Sequence, residues 1–218
     1  MTVAPIIEES DPVSGFCSLA TGHADWHTWI RFNQWFMQIQ SRTNFKLALL
    51  PILTVPNPAL RQRARRVKQI DHSINMLLDN MVETMRNAHG IGLAANQVGS
   101  FWRVITIEIP PPEEHEDDDA TLYRLVNPSI VKRSGNREVE EGCLSIPGYR
   151  GFIERSLRVT VKAMTPNSKE IRIKADELLA QALEHEIDHL NGILYTDHLA
   201  SHEKLEAIEP ADPQSTTT

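Results

Sequence analysis

Residues 181–192 read QALEHEIDHLNG, and the fold turns on how they are read. His185-Glu186-Ile187-Asp188-His189 matches the H-E-x-x-H pattern, in which two histidines share one face of a helix. Side chains four apart have Cβ atoms about 5–6 Å from each other, so both rings can bind one cation. Glu186, next to the first histidine, can reach water at that cation rather than the cation itself. The preceding run from Asp176 to Glu184 is rich in helix formers, and Gly192 is placed to stop the helix. Leu179, Ala182, Leu183 and Ile187 give it an apolar stripe. Five-residue patterns also arise by chance on ordinary charged helices, so the rest of the chain has to decide.

Upstream, Arg155 to Met164 alternates as a strand, Pro166-Asn167-Ser168 is a turn, and Glu170 to Ile173 reads as a second strand. This predicts a hairpin leading into the helix. Trp102 to Ile109 and Tyr123 to Val131 read as further strands, joined by the acidic, proline-rich loop 110–120, where His115 reads as solvated. Asp71 is a good N-cap for an amphipathic helix carrying Ile74, Leu77, Leu78, Met81, Val82 and Met85 and ending near Gly90. Gly90-Ile-Gly-Leu-Ala-Ala-Asn-Gln-Val-Gly99 follows. Its two glycines two apart let the backbone approach a ligand closely, or form a plain helix stop and turn. The segment around Leu49 to Leu60 is extended and punctuated by proline, and Arg61 to Lys68 is a basic run that reads as a solvated face.

Three segments are expected: an extension over residues 1–45, a catalytic domain over 46–205, and an acidic then Ser/Thr-rich tail over 206–218 without fixed structure. The extension holds three of the four tryptophans and no continuous period; an accessory helix, a flexible arm and a start codon set too far upstream all fit it. It lacks the basic-then-apolar order of a secretory signal. A net charge of −7 argues against a general nucleic-acid surface, and no apolar run is long enough to span a bilayer. Two cysteines, Cys17 and Cys143, form no disulfide framework and suit a reducing compartment.

A catalytic site on this helix needs a third protein ligand. Tyr195 stands where metzincin-type proteases carry a third histidine. Glu209 precedes Pro210 in the weak tail, and His198 and His202 follow the helix end without a supporting pattern. Cys143, within Glu141-Gly142-Cys143-Leu144-Ser145, is the remaining good candidate. A thiolate with two imidazoles leaves one position open, as catalysis requires.

Three blocks in order then carry a family resemblance: Gly90-x-Gly92-x-Ala94-Ala95-x-Gln97, Glu141-Gly142-Cys143-Leu144-Ser145 and His185-Glu186-x-Asp188-His189. The chain resembles the bacterial-type peptide deformylases over roughly residues 49–209. The resemblance implies an α+β fold with mixed or antiparallel sheets around a central metal-binding helix. It implies removal of the formyl group from N-formylmethionine on nascent polypeptides. Cys143, His185 and His189 would be metal ligands and Glu186 the general acid/base. Gln97 and the Leu144 N–H would stabilise the oxyanion, and Gly90, Ile91 and Gly92 would lie along the substrate, with Ile91 and Gly92 offering strand-like hydrogen bonds. Glu141, Arg150 and Arg155 match charged positions near the family's site and would either line the substrate pocket, as expected for Glu141 and Arg150, or support the ligands, with plain surface salt bridges equally open; Asp188 would support the ligands. The implied cofactor is iron(II), with zinc, nickel or cobalt as substitutes. The implied setting is a cytoplasmic monomer meeting nascent chains near the ribosome exit. Glu184 stands where many members carry glutamine. The rival readings are an H-E-x-x-H metallopeptidase of another class and a decayed, non-catalytic metal binder.

Overall fold

Runs of β-branched residues at alternating positions build two antiparallel sheets, and the H-E-x-x-H helix touches both. The computed structural model describes residues 47–111, 119–199 and 205–208. The expectations for residues 1–45, for His115, and for His202 and Glu209 as ligands lie outside the described residues.

The first helix, α1 (His72–Asn87), begins where expected: the Asp71 carboxylate accepts from the Ile74 N–H at 3.1 Å. Ile74, Leu78, Met81 and Met85 form its buried stripe. The chain then forms β1 (Gly92–Ala94), a 3-10 turn over Ala95–Val98, β2 (Val104–Ile109) and β3 (Thr121–Ser134). Next come β4 (Arg137–Cys143), β5 (Ile146–Arg155), β6 (Arg158–Met164) and β7 (Glu170–Asp176). The second helix, α2 (Glu177–His189), carries the histidines, and a short β8 (Leu205–Ala207) closes the described chain. Strands run β1-β2-β3-β6-β7 in one sheet and β4-β5-β8 in the other, with every strand pair antiparallel. The fold is the expected α+β class, and the hairpin before the helix is β6–β7, with Met164 opposite Glu170.

Leu183, Ile187 and Leu190 pack α2 on the five-stranded sheet, against Ile105, Ile107, Leu125 and Val161. A second core joins α1 to Leu93, Val104 and Val126. A third, with Leu60, Val139, Ile146, Ile153 and Tyr195, lies beneath the three-stranded sheet. The helix turn that follows His189 is closed by Gly192 at φ +78°, where a Cβ would sit 2.3 Å from the Arg61 carbonyl oxygen.

Three expectations need correction. The strand expected over 155–164 begins at Arg158, because Arg155 ends β5 instead. The β4–β5 hairpin is a whole unit beyond the expected strands. The tail expected to lack structure from residue 206 contributes Glu206 and Ala207 to β8, paired with Arg150 and Tyr149.

Candidate metal centre

Helix α2 presents three rows of side chains. Leu183 and Ile187 face the five-stranded sheet; Gln181, His185 and Asp188 reach the other sheet; Ala182 and Glu186 line a cleft of about 440 Å³. The β4–β5 turn brings Cys143 over the helix. Its Sγ lies 3.2 Å from His189 Nε2, and the two histidine Nε2 atoms are 3.2 Å apart. Among the described residues, these three side chains form the group able to hold one cation, their donor atoms all within 4.8 Å of one another.

The donor chemistry fits a divalent cation. Two imidazole nitrogens facing each other at this distance repel unless a proton or a cation lies between them. Burial holds His189 well below the ordinary histidine range, which leaves a neutral ring with a lone pair to give. Burial opposes charge on His185 too, but hydrogen bonds to Cys143 and Glu141 outweigh it and raise its proton affinity. Glu141 approaches His185 Nδ1 at 2.7 Å, which fixes that nitrogen as the donor and turns Nε2 toward Cys143 and His189.

Beneath the three candidate donors lies a buried charge network. Arg155 donates to both Glu141 oxygens, at 2.8 and 3.0 Å, and to Asp188 at 2.6 Å. Asp188 also meets His198 at 2.9 Å. His198, considered as a ligand from sequence, is therefore a partner of Asp188 and stands outside the donor group. Burial pushes Glu141 up, yet His185 and Arg155 hold it down at about 2. Asp188 is likewise lowered against its burial by His198 and Arg155.

Glu186 has a different setting. It is 3% exposed, and its Oε2 has no hydrogen-bond partner among the described residues. Burial pushes its carboxyl up to about 7, with the His185 charge pulling the other way. Gly92 makes room for it: a Cβ there would sit 2.2 Å from Glu186 Oε1. Gln97 is oriented by its carbonyl end, which accepts from the Ala94 N–H at 2.8 Å, so its amide nitrogen points to Ser145 Oγ at 3.1 Å and toward Cys143. Leu144 and Glu141 line the cleft, as do Gly90, Ile91 and Gly92. The Ile91 carbonyl accepts from the Glu108 N–H at 2.8 Å. Backbone groups alternate sides along a strand, so the open edge beside the cleft belongs to Gly92, and Ile91 offers its side chain.

Arg150 stands apart from the other expected site residues. It is absent from the cleft wall and forms exposed pairs with Glu140 at 3.2 Å and Glu206 at 3.2 Å. Sequence reading missed Asn96, which is fully buried and donates to the His189 carbonyl, and Tyr195, whose ring stacks at 6.4 Å on His185. It also missed Tyr149, Leu178 and Ile208 on the cleft wall. An Asn immediately before Gln97 or a Tyr after a helix stop carries no signal of its own; only the fold brings them here.

An α+β fold with two histidines and a cysteine converging beside a buried glutamate defines a metal-dependent hydrolase. Comparison with known proteins narrows this. The polypeptide deformylase family profile matches residues 49–205. The peptide deformylase of Dehalococcoides mccartyi (strain CBDB1) is 48% identical over 166 residues, covering 76% of this chain and 95% of that protein. The one from Thermomicrobium roseum is 42% identical over 169 residues, covering 78% and 96%. Among solved structures, a peptide deformylase from Legionella pneumophila matches with TM-score 0.64 at 40% identity, covering 72% of this chain and 89% of that one. A class I type b peptide deformylase from Acinetobacter baumannii with Met-Ala-Ser bound matches with TM-score 0.65 at 32% identity, covering 70% and 99%. The chain belongs to the polypeptide deformylase family. It is a metal-dependent enzyme that removes the N-formyl group from the formylmethionine of nascent polypeptides and releases formate. Among the described residues no helix is long and apolar enough to cross a membrane.

Proposed function

We propose that Cys143, His185 and His189 hold one iron(II) ion, that Glu186 is the general acid/base, and that Gln97 and the Leu144 N–H stabilise the oxyanion. The observation that carries this reading is the position of Glu186: buried, unpartnered at Oε2 and pressed against Gly92, next in sequence to His185, one of three converging donors. When bound, the cation supplies Lewis acidity, which polarises a carbonyl and acidifies water. Glu186 takes the proton from the attacking water and returns it to the methionine nitrogen as the C–N bond breaks, so formate and a free amine leave. Its raised proton affinity suits both transfers. The Gln97 Nε2 and the Leu144 N–H donate to the oxygen of the formyl group as negative charge builds there. The open edge at Gly92 pairs with the substrate main chain as an added strand, with Gly90 and the Ile91 side chain along it.

Glu141 orients His185, and its carboxylate is fully used by His185 and Arg155. We assign the catalytic domain to residues 46–208, with 1–45 as an extension outside it. The enzyme works as a cytoplasmic monomer on chains emerging from the ribosome. Thiolate and imidazole ligands also accept zinc, nickel or cobalt.

The test is formate release from formyl-Met-Ala-Ser by anaerobically prepared protein with its metal content assayed in parallel. Turnover that disappears on chelation and returns with iron(II) supports the reading. Glu186→Gln is expected to keep its metal and lose about 10²–10⁴-fold in kcat. Cys143→Ala is expected to lose the metal; a Cys143→Ala protein that keeps both metal and activity overturns the ligand assignment.

A further inference from the structure

The C-terminal strand ends against the substrate cleft, and nothing in the catalytic step uses it. β8 pairs with β5 through Leu205, Glu206 and Ala207, and the Ile208 N–H then donates to the Gly148 carbonyl at 2.8 Å. This fixes Ile208 on the cleft wall, together with Gly148 and Tyr149. The side chain is 50% exposed. Tyr149, Leu178 and Ile91 also line the cleft and are 46%, 37% and 41% exposed. Among the described residues, four of the eleven large hydrophobic side chains left exposed thus gather around this one cleft. Scattered single exposures are ordinary on a protein surface, whereas a cluster lining a groove marks a surface that another apolar group covers.

The strand is also held from outside. Arg150 pairs at once with Glu140 on β4 and Glu206 on β8, so it ties the last strand to the rest of its sheet.

We propose that Leu205–Ile208 is part of the substrate site: Ile208 selects apolar side chains in the residues that follow formylmethionine, and Arg150 is a positioning residue that holds the strand there. This deepens the deformylase reading and rests on it. The metal end of the cleft takes the formyl group and the edge at Gly92 takes the main chain. A peptide extended along that edge advances about 3.3 Å per residue, so its later side chains move away from the metal and toward the cleft rim. The chemistry there is apolar on several sides, which favours Leu or Phe over Ser or Asp in the peptide.

The experiment compares formyl-Met-amide, formyl-Met-Ala-Ser and formyl-Met-Leu-Phe on the metal-loaded full chain. Wild type is expected to show its lowest KM on formyl-Met-Leu-Phe. Ile208→Ala is expected to raise that KM about three- to tenfold, consistent with losing part of an apolar contact, with kcat and metal content unchanged. Its constants on formyl-Met-amide are expected to stay at the wild-type values. Ile208→Asp should exceed Ile208→Ala, and Arg150→Ala should move the same KM in the same direction by less. Because Ile208 is half exposed, these variants keep the core intact. Equal KM shifts on all three substrates, a fall in kcat shared by all three, or no change at all would each overturn the proposal. Binding of the product peptide Met-Leu-Phe by calorimetry repeats the comparison without turnover. If wild type releases no formate, the deformylase reading fails, and tighter binding of Met-Leu-Phe to wild type than to Ile208→Ala still separates the two claims.

Discussion

Two clusters of charged side chains, each an arginine with two carboxylates, are set at different depths, one beneath the three converging donors and one at the cleft rim. Below it, Arg155 joins Glu141 and Asp188, with side chains 4%, 2% and 11% exposed. At the rim, Arg150 joins Glu140 and Glu206, with side chains 42%, 46% and 49% exposed. Both are one arginine between two carboxylates; Arg155 ties β5 and β4 to helix α2, whereas Arg150 ties β5 to β4 and β8 within one sheet. In the buried cluster, desolvation is costly and only full pairing makes it tolerable. Glu141 and Asp188 stay ionised against their burial because Arg155 and a histidine hold each of them. At the rim, water and salt compete for the same charges, so the pairs contribute little. Depth, rather than composition, decides which cluster the metal centre depends on.

Removing the shared partner should break the buried cluster most. Arg155→Ala leaves two carboxylates facing each other in the interior. It is expected to cost about 3–5 kcal/mol of unfolding free energy, read by urea melts of the metal-loaded protein. A loss under 1 kcal/mol would mean that water reaches Glu141 and Asp188 and that the cluster is not dry. Glu141→Gln comes next. It keeps the volume but gives His185 Nδ1 a weaker acceptor, so metal affinity is expected to fall about 10–100-fold in a chelator competition. Unchanged affinity would mean that His185 is held by the helix alone. Asp188→Asn ranks third, at about 1–3 kcal/mol, because it loses charge-assisted bonds to Arg155 and His198 without emptying space.

The metal helix was legible because its signal is local. The histidine spacing, helix formers and Gly192 all lie within one segment, and α2 spans Glu177–His189 as the pattern requires. The β6–β7 hairpin was legible for the same reason. β4 was not, because its inward positions alternate Val139 with Glu141, and a buried glutamate reads as surface. β5 carries Pro147, Gly148 and Gly151, which suggest turns, and its pairing with β8 depends on residues more than fifty positions away. Arg150 and Arg155 could not be separated at all: both lie on β5, and only the three-dimensional packing puts Arg155 under the ligands and Arg150 at the rim. The candidate donor set needed the resemblance as well as the residues, since Cys143 is forty-two positions from His185.

The smallest effect is expected at the rim, and salt makes it diagnostic. Arg150→Ala should change unfolding free energy by no more than about 0.5 kcal/mol at low ionic strength. In 1 M salt the Debye length falls to about 3 Å, and the difference from wild type should disappear. The Arg155→Ala deficit should persist in the same salt, because a charge buried from solvent is poorly screened. A salt-insensitive deficit for Arg150→Ala would show that the rim pairs are drier than their exposure suggests. It would place β8 within the cooperative core, where stability and substrate choice share one arginine.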